Sequence, residues 1–235
     1  MSILCTICAR GGSSGIKNKN IKKILNYPLI IYTIKTAINS KIFDKIVLST
    51  DSEKIMNICS KYDIEIFFKR PKKLSGNNVN KVEVIRHALL MSENYFKKKF
   101  DYICDLDVSS PLRTTKDIKK SFEILIKKKS PNIFSVIPAS KNPYFNIIEY
   151  KNKGFFPVSK LSNFVFTRQK APKVYSMNAS IYIWQRYILL KSNTVFNKNS
   201  SIYLMNEKSV DIDTNNDFEL IDYYIKKYTK WQIKK

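Results

Sequence analysis

Glycine, histidine and acidic side chains are scarce in this chain of 235 residues. It has five glycines and one histidine, and its 19 acidic residues stand against 42 lysines and arginines, a formal net charge of +23. No run of about 18 apolar residues occurs, so we expect no membrane span. The first eight residues lack the basic stretch and cleavage site of an export signal, and we expect a cytoplasmic protein.

Cysteine is also too sparse, at four residues, for a disulfide framework in a chain of this length. Cys5 and Cys8 form a CxxC pair, which could be redox-active or half of a metal site. No second CxxC is present, and the pair lies in an apolar strand pattern, so we predict small buried side chains there. The lone histidine, His87, is interpreted as structural rather than as a catalytic base.

The excess of positive charge bears on the class of partner. A basic surface attracts anions, including nucleic acids. The sequence has no interleaving of aromatic and basic residues and no known nucleic-acid motif, so we predict no nucleic-acid partner. An anionic substrate explains a basic cleft equally well, and nucleic-acid binding on charge alone is kept as the alternative.

The first 138 residues alternate short apolar strand patterns with helical patterns. The strand patterns cover residues 3–9, 45–50, 64–68, 102–106 and 132–137. The helical patterns cover residues 28–39, 52–61, 81–93 and 115–126. This alternation with short connections predicts an α/β fold with a doubly wound, mostly parallel sheet. Ligands bind such sheets at the carboxyl ends of the strands.

The alternation is interrupted between residues 139 and 177. This stretch and its boundary contain prolines at 138, 143, 157 and 172, several aromatic residues and little helical periodicity. We therefore predict an inserted β-rich element. Strand patterns then return at 180–184, 201–205 and 210–213, followed by a helix near 216–228. The sequence thus predicts one domain, residues 1–235, that carries an insertion at 139–177.

Three of the five glycines lie in residues 9–20, directly after the first strand pattern. Glycines so placed favour a close approach of the backbone to a ligand. Arg10, Lys17 and Lys19 add cations beside backbone donors, a combination suited to a triphosphate. The segment matches neither the Walker A nor the dinucleotide-binding spacing. A plain flexible loop is the alternative.

Two pairs of carboxylates also follow strand patterns. In an extended segment, Asp211 and Asp213 would point to the same side about 6.6 Å apart. Two such oxygen ligands, completed by nucleotide phosphate, are typical of Mg²⁺, and a solvated strand end that caps the last helix is the alternative. Asp105 and Asp107 share the same alternation, and serines at 109 and 110 follow them. Aspartate and serine are also common in turns, so this second pair alone does not specify a site.

Taken in order, these motifs resemble the acylneuraminate cytidylyltransferases, also called CMP-sialic acid synthetases. The matching segments are residues 9–20, 49–51, 70–71, 110–113, 168–169, 178–182 and 210–214. Residues 105–107 and 143–146 are most similar to the CMP-legionaminic acid branch. The resemblance implies a nucleotide-diphospho-sugar transferase type of fold. It also implies a reaction in which CTP and an acidic nine-carbon (nonulosonic) sugar give CMP-sugar and pyrophosphate, by attack of the anomeric hydroxyl on the α-phosphorus.

The resemblance also implies roles for individual residues. The catalytic groups would be Arg10, Lys19, Asp211 and Asp213, of which Asp211 and Asp213 would hold Mg²⁺. The residues that would bind CTP are Gly11, Gly12, Ser13, Ser14, Gly15, Asn20, Arg70 and Gly76. Those that would lie near the sugar are Asp107, Ser109, Ser110, Arg168, Gln169 and Asn178. The insertion at 139–177 corresponds to the family's dimerisation element, so a homodimer is implied.

The chain departs from the family pattern at four places. Ser14 stands where a phosphate-contacting lysine is usual, and Lys17 or Lys19 could compensate. Gly76, Asn77 and Asn78 stand where Ser-Asp-Thr is common in the family, Asp107 replaces glutamine and Ala179 replaces glycine. Each change could retune the sugar or weaken turnover. A cytidylyltransferase for the eight-carbon acid Kdo and a degenerate homologue that only binds nucleotide are the alternatives.

Overall fold

The computed structural model describes residues 1–13, 15–159, 167–205 and 211–228. The strands are β1 (Ile3–Cys8), β2 (Lys23–Ile24), β3 (Tyr27–Pro28), β4 (Lys45–Ser49), β5 (Tyr102–Leu106), β6 (Asn132–Pro138), β7 (Ile148–Lys151), β8 (Gly154–Pro157), β9 (Tyr175–Gln185) and β10 (Ser201–Leu204). The α-helices are α1 (Leu29–Ser40), α2 (Glu53–Cys59), α3 (Lys81–Phe96), α4 (Thr115–Lys127), α5 (Arg186–Lys191) and α6 (Asn215–Tyr228). Short 3-10 helices cover Lys19–Ile21, Lys72–Leu74 and Arg168–Lys170.

A six-stranded sheet in the order β10-β6-β9-β5-β1-β4 forms the centre of the fold. Its strands run parallel except β9, which pairs antiparallel with both β5 and β6. The predicted α/β fold with a mostly parallel sheet is confirmed. Strands β1, β4 and β5 therefore all end at one edge, where residues 9–20 and 107–110 follow them.

The hydrophobic core lies on both faces of this sheet. Alternate residues of β1 point to opposite faces, so Cys5 and Ile7 pack with residues of α1, α4 and α6. Leu4 packs on the other face with residues of α3 and α5. Of the CxxC pair predicted to be buried, Cys5 is fully buried, whereas Cys8 at the end of β1 is only partly buried. In the described part of the chain, no helix is both long and apolar enough to cross a membrane.

Two sequence-based strand assignments are wrong. Residues 64–68 form only one bridge, between Glu65 and Val47, within the described chain. Residues 211–213 form no strand, and residue 210 lies outside the described residues. Instead, the N–H groups of Asp213 and Thr214 donate to the Asp217 carboxylate at 2.9 and 2.6 Å. The backbone of this segment is thus hydrogen-bonded to the first turn of α6, and this contact leaves the predicted metal role of Asp211 and Asp213 untested.

The stretch from 139 to 177 contains the hairpin of β7 and β8, which pair with each other. Its large side chains face outward, and Tyr150 and Phe155 are 67% and 69% exposed. The predicted strand at 180–184 is the second half of β9, which begins at Tyr175 inside the predicted insertion. Residues 160–166 lie outside the described residues.

The pairing of β9 is irregular at Ala179, the position where the family pattern has glycine. The pairing between β6 and β9 shifts register between Phe134 and Val136. Facing this shift, Ala179 has a φ of 45°, in the left-handed region. The Ser135 hydroxyl donates to Asn178 Oδ1 at 2.7 Å and accepts from the Ile181 N–H at 2.9 Å. Alanine is strained in this conformation because its Cβ crowds the backbone, whereas glycine is not.

We expect Ala179→Gly to stabilise the protein by about 0.5–1 kcal/mol, because relief of the strain outweighs the added freedom of the unfolded chain. Ala171→Gly is the matched control, since Ala171 has a φ of −72°. That change should cost about 0.5–1 kcal/mol. Urea denaturation of both variants measures the difference. Equal losses in the two variants would show that Ala179 is not strained.

Candidate active site

A cleft of about 530 Å³ opens where β1 and β5 end and α3 begins. The sequence-predicted site residues that line it are Arg10, Gly12, Ser13, Gly15, Lys19, Asn20, Arg70, Gly76, Asp107 and Asp213. This position, at the carboxyl ends of parallel strands, is the usual one for ligands in such sheets. Ser14 lies outside the described residues.

Three side-chain hydrogen bonds fix Arg10 and Gly11, the start of the loop after β1. The Asn20 side-chain amide donates to the Arg10 carbonyl at 2.8 Å. The Arg10 guanidinium donates to Asn77 Oδ1 at 2.7 Å, across the cleft. The N–H of Gly11 donates to Asp51 Oδ1 at 2.8 Å, and Gly11 does not line the cleft. This hydrogen bond attaches the loop to Asp51, the residue that follows β4 and Thr50.

The same loop contacts the acidic segment that precedes α6. Lys19 Nζ donates to the Ile212 carbonyl at 2.6 Å and lies 3.3 Å from Asp213 Oδ1. Gly15 packs so closely that a Cβ added there would meet the Asp213 carbonyl oxygen at 2.7 Å. The glycine is therefore needed for contact with this segment. Together the loop and Asp213 form one side of the cleft.

The two aspartates of this segment differ in environment. The Asp213 side chain is 79% exposed and pairs with Lys19. Asp211 is partly buried, and its Oδ1 is buried without a hydrogen-bond partner. Burial, together with the charges of Asp107 and Asp213, raises the pKa of Asp211 to about 7. An unpartnered buried carboxylate oxygen is costly unless a cation or proton joins it.

These carboxylates could hold a divalent cation. Carboxylate oxygens are the donors that Mg²⁺ prefers, and protein sites for it commonly use one or two carboxylates, with substrate phosphates completing the shell. The unpartnered oxygen of Asp211 and the exposed carboxylate of Asp213 fit this pattern. In the described part of the chain, no three Asp, Glu, His or Cys side chains cluster as a self-sufficient metal site.

A lysine that sequence reasoning missed lies beside these groups. Lys81 Nζ contacts Asp107 Oδ2, lies 3.2 Å from Asp105 Oδ2 and sits 4.5 Å from the ring centroid of Tyr182. Asp105 is fully buried and accepts a hydrogen bond from Thr6 Oγ1 at 2.7 Å. One signal was available: Lys81 opens α3, where the helix dipole disfavours a cation.

Asp107 is held at both of its oxygens. Oδ2 contacts Lys81, and Oδ1 accepts from the N–H and the hydroxyl of Ser109 at 2.9 and 2.8 Å. Burial alone would raise the pKa of Asp107, but Lys81 and the two hydrogen bonds from Ser109 lower it to about 2. Ser109 and the fully buried Ser110 do not line the cleft. Ser109 therefore positions Asp107.

Arg70 supplies unused donors to the opposite end of the cleft. Its side chain is buried, 3.8 Å from Asp51, and its Nε and Nη2 have no hydrogen-bond partner. Gly76 and Asn77 lie beside it along the cleft wall. Buried guanidinium nitrogens without partners suit a ligand that brings carbonyl or ring-nitrogen acceptors.

Besides Ser109 and Ser110, three further predicted sugar-site residues do not line the cleft of this chain. Arg168 and Gln169 are exposed in the short 3-10 helix. Asn178 is buried in β9, where its side-chain oxygen accepts from Ser135 and its side-chain nitrogen lies 3.1 Å from Met205 Sδ. Its observed contacts thus include Ser135 on β6 and Met205 directly after β10. Asp211 also does not line the cleft, although Asp213 does.

The fold defines the class of protein first. The chain superimposes on the structure of CMP:2-keto-3-deoxy-manno-octonic acid synthetase complexed with CTP, with a TM-score of 0.71 over 96% of this chain and 99% of that one. At 13% identity this likeness shows the nucleotidyltransferase fold alone. A family model described as cytidylyltransferase matches residues 4–230. The chain therefore belongs to the cytidylyltransferase family and is a nucleotidyltransferase.

Two relatives with known names are about half identical to this chain over nearly its whole length. The chain is 50% identical over 225 residues to the post-translational flagellin modification protein B of Campylobacter coli, covering 95% of each. It is 48% identical over 224 residues to the CMP-N,N'-diacetyllegionaminic acid synthase of Campylobacter jejuni subsp. jejuni, covering 95% of this chain and 94% of that one. The resemblance to acylneuraminate cytidylyltransferases drawn from the sequence motifs is confirmed.

The raised pKa of Asp211 predicts that Asp211→Asn stabilises the metal-free protein. With a folded pKa of about 7 against 3.8 for the ordinary group, folding takes up a proton between these values, so stability falls as pH rises through this window. Asparagine removes that penalty. We expect a gain of roughly 2–4 kcal/mol at pH 8, vanishing near pH 4.

Asp213→Asn is the matched control, because Asp213 is exposed and its loss should change stability little. Urea denaturation in buffer with a chelator, at several pH values, measures both variants. If Asp211→Asn raised the free energy of unfolding equally at pH 4 and pH 8, the raised pKa would not belong to Asp211.

Proposed function

We propose that this chain transfers the cytidylyl group of CTP to an acidic nonulosonic sugar of the legionaminic or sialic acid type, releasing pyrophosphate. The observation that carries the proposal is the direct contact between a cationic, glycine-rich loop and an acidic segment at one cleft. The naming of a relative 48% identical to this chain as a CMP-N,N'-diacetyllegionaminic acid synthase supports the choice of sugar.

In this proposal the loop after β1 binds the triphosphate. The guanidinium of Arg10 is held by Asn77, and Lys19 is held by the Ile212 carbonyl, so both cations are positioned before the nucleotide arrives. The backbone of Gly12, Ser13, Ser14 and Gly15 supplies further donors. Neutralising the phosphates stabilises charge that moves to the leaving pyrophosphate, and alignment of the anomeric hydroxyl with the α-phosphorus provides the rest.

The cytidine is proposed to bind beside Asn20, Arg70 and Gly76. Two buried nitrogens of Arg70 have no hydrogen-bond partner, and they can donate to the acceptor atoms of a pyrimidine. Asn20 already holds the Arg10 carbonyl through its amide nitrogen, so it links the base end of the cleft to the phosphate end.

We further propose that Asp211 and Asp213 hold Mg²⁺ together with the nucleotide phosphates. The unpartnered oxygen of Asp211 supports this assignment. When bound, the ion would neutralise phosphate charge and lower the pKa of a coordinated hydroxyl. Lys19, which contacts this segment, keeps the two carboxylates beside the loop.

The acceptor is proposed to lie near Asp107, Ser109 and Ser110, on the side of the cleft formed by the end of β5. Arg168, Gln169 and Asn178 are kept as acceptor residues within a homodimer formed through residues 139–177. The exposed side chains of the β7–β8 hairpin, such as Tyr150 and Phe155, are consistent with such a contact. The cytoplasm, where CTP is available, is the proposed location.

Pyrophosphate release with CTP and Mg²⁺ tests the function. The acceptors offered are N-acetylneuraminic, legionaminic, pseudaminic and Kdo acids, and the mass of each product is checked. We expect a CMP-sugar from a nonulosonic acid. Asp211→Asn should lower the rate at least about 100-fold, whereas Asp222→Asn, whose carboxylate pairs with Lys226 on α6, should not. Product from Kdo alone would contradict the proposed acceptor.

A second variant separates an inactive loop from a missing acceptor. Ser14 stands where the family has a lysine that contacts phosphate, so we expect Ser14→Lys to lower the KM for CTP. An unchanged KM for CTP would show that Lys17 or Lys19 already supplies this charge. If the chain binds CTP but releases no pyrophosphate, rescue by Ser14→Lys would identify a degenerate homologue.

A further inference from the structure

We propose that Lys81 is a positioning residue that keeps Asp107 out of the divalent-metal site of Asp211 and Asp213. The inference rests on the proposed function, because it takes those two aspartates as the metal ligands. It assigns a task to Lys81, the cation that pairs with Asp105 and Asp107 at the end of β5 and that has no role in the proposed function.

The first step is the position of Asp107 relative to the acidic segment. The N–H of Ile212 donates to the carbonyl of Ser109 at 2.9 Å. The chain that carries Asp211 and Asp213 is therefore hydrogen-bonded to the turn that follows Asp107. Asp107 also lies in the same cleft as Asp213, although the described carboxylates do not cluster as a three-ligand metal site.

The second step is the fixed orientation of Asp107. Its Oδ2 contacts Lys81, and its Oδ1 accepts two hydrogen bonds from Ser109. Arg113 also approaches, but it donates to the backbone carbonyl of Asp107 at 3.0 Å, not to the carboxylate. Within the described chain, Lys81 is thus the cation seen to pair with this carboxylate.

The third step is the cost of placing a lysine there. Lys81 occupies the first position of α3, where its charge opposes the helix dipole. Its side chain is 30% exposed, and it faces the fully buried Asp105 as well as Asp107. A residue that breaks a local rule in a cleft usually has a compensating role. Here that role is to satisfy a carboxylate that a divalent ion would otherwise recruit, since affinity for such ions rises with the number of charged ligands.

Binding of Mn²⁺ without nucleotide tests this inference, because it does not depend on turnover. Free Mn²⁺ is followed by its electron paramagnetic resonance signal. In Lys81→Met the released Asp107 should join Asp211 and Asp213, and Mn²⁺ should bind at least about tenfold more tightly than to the original chain. The double variant Lys81→Met/Asp107→Asn, which removes both charges of the pair, should return to the original affinity.

Lys81→Met removes one member of a buried ion pair, which is strongly destabilising, and this variant could fail to fold. The double variant removes both members, which proteins tolerate better, so its Mn²⁺ affinity can still be measured. If Asp107 were a ligand in the original chain, the double variant would lose Mn²⁺ affinity as Asp211→Asn does, and that result would overturn the inference. Unchanged Mn²⁺ binding in a folded Lys81→Met would also overturn it.

Asp211→Asn distinguishes this failure from a failure of the proposed metal site. We expect that variant to bind Mn²⁺ at least about tenfold more weakly. If it binds Mn²⁺ like the original chain, the metal site of the proposed function is wrong and the inference falls with it. If it binds weakly while Lys81→Met behaves like the original chain, only the role of Lys81 is wrong.

Discussion

The cleft depends on one constraint: the aspartates that meet at one edge of the sheet need nearby positive charge. Parallel strands end at the same edge, and this brings Asp105 and Asp107 close to the segment that carries Asp211 and Asp213. Lys81 pairs with the first two, and Lys19 reaches Asp213. The oxygen of Asp211 that has no partner is therefore where the cluster is still short of positive charge.

The sheet and the loop after β1 were predictable because local pattern and topology agree there. Strand β5 has the predicted bounds, and the glycines between β1 and α1 mark the loop that lines the cleft. The segment from 211 to 213 was not predictable in this way. The same alternation of polar and apolar residues occurs in strands and in helix caps, so it does not distinguish them. Here the Asp217 carboxylate accepts hydrogen bonds from backbone N–H groups that would otherwise pair with a neighbouring strand.

The role of Lys81 was hidden for a different reason. The chain has 42 lysines and arginines, so composition does not distinguish one of them. Its partner Asp107 lies 26 residues further along, on another element, and the pair exists only once α3 packs beside β5. Asn178 shows the converse: a motif identified it as a sugar residue, but in this chain its side chain contacts Ser135 on β6 and Met205 after β10. Motifs report family membership, whereas contacts depend on packing.

The hydrogen bond from Lys19 to the Ile212 carbonyl joins residues 193 positions apart. During translation, Lys19 leaves the ribosome well before Ile212 has been made, because synthesis proceeds from the N-terminus. The sheet strands up to β10 precede Ile212, so most of the core can form while one wall of the cleft is still missing. The side of the cleft that Asp213 forms is therefore completed only after every strand of the described sheet has been synthesised.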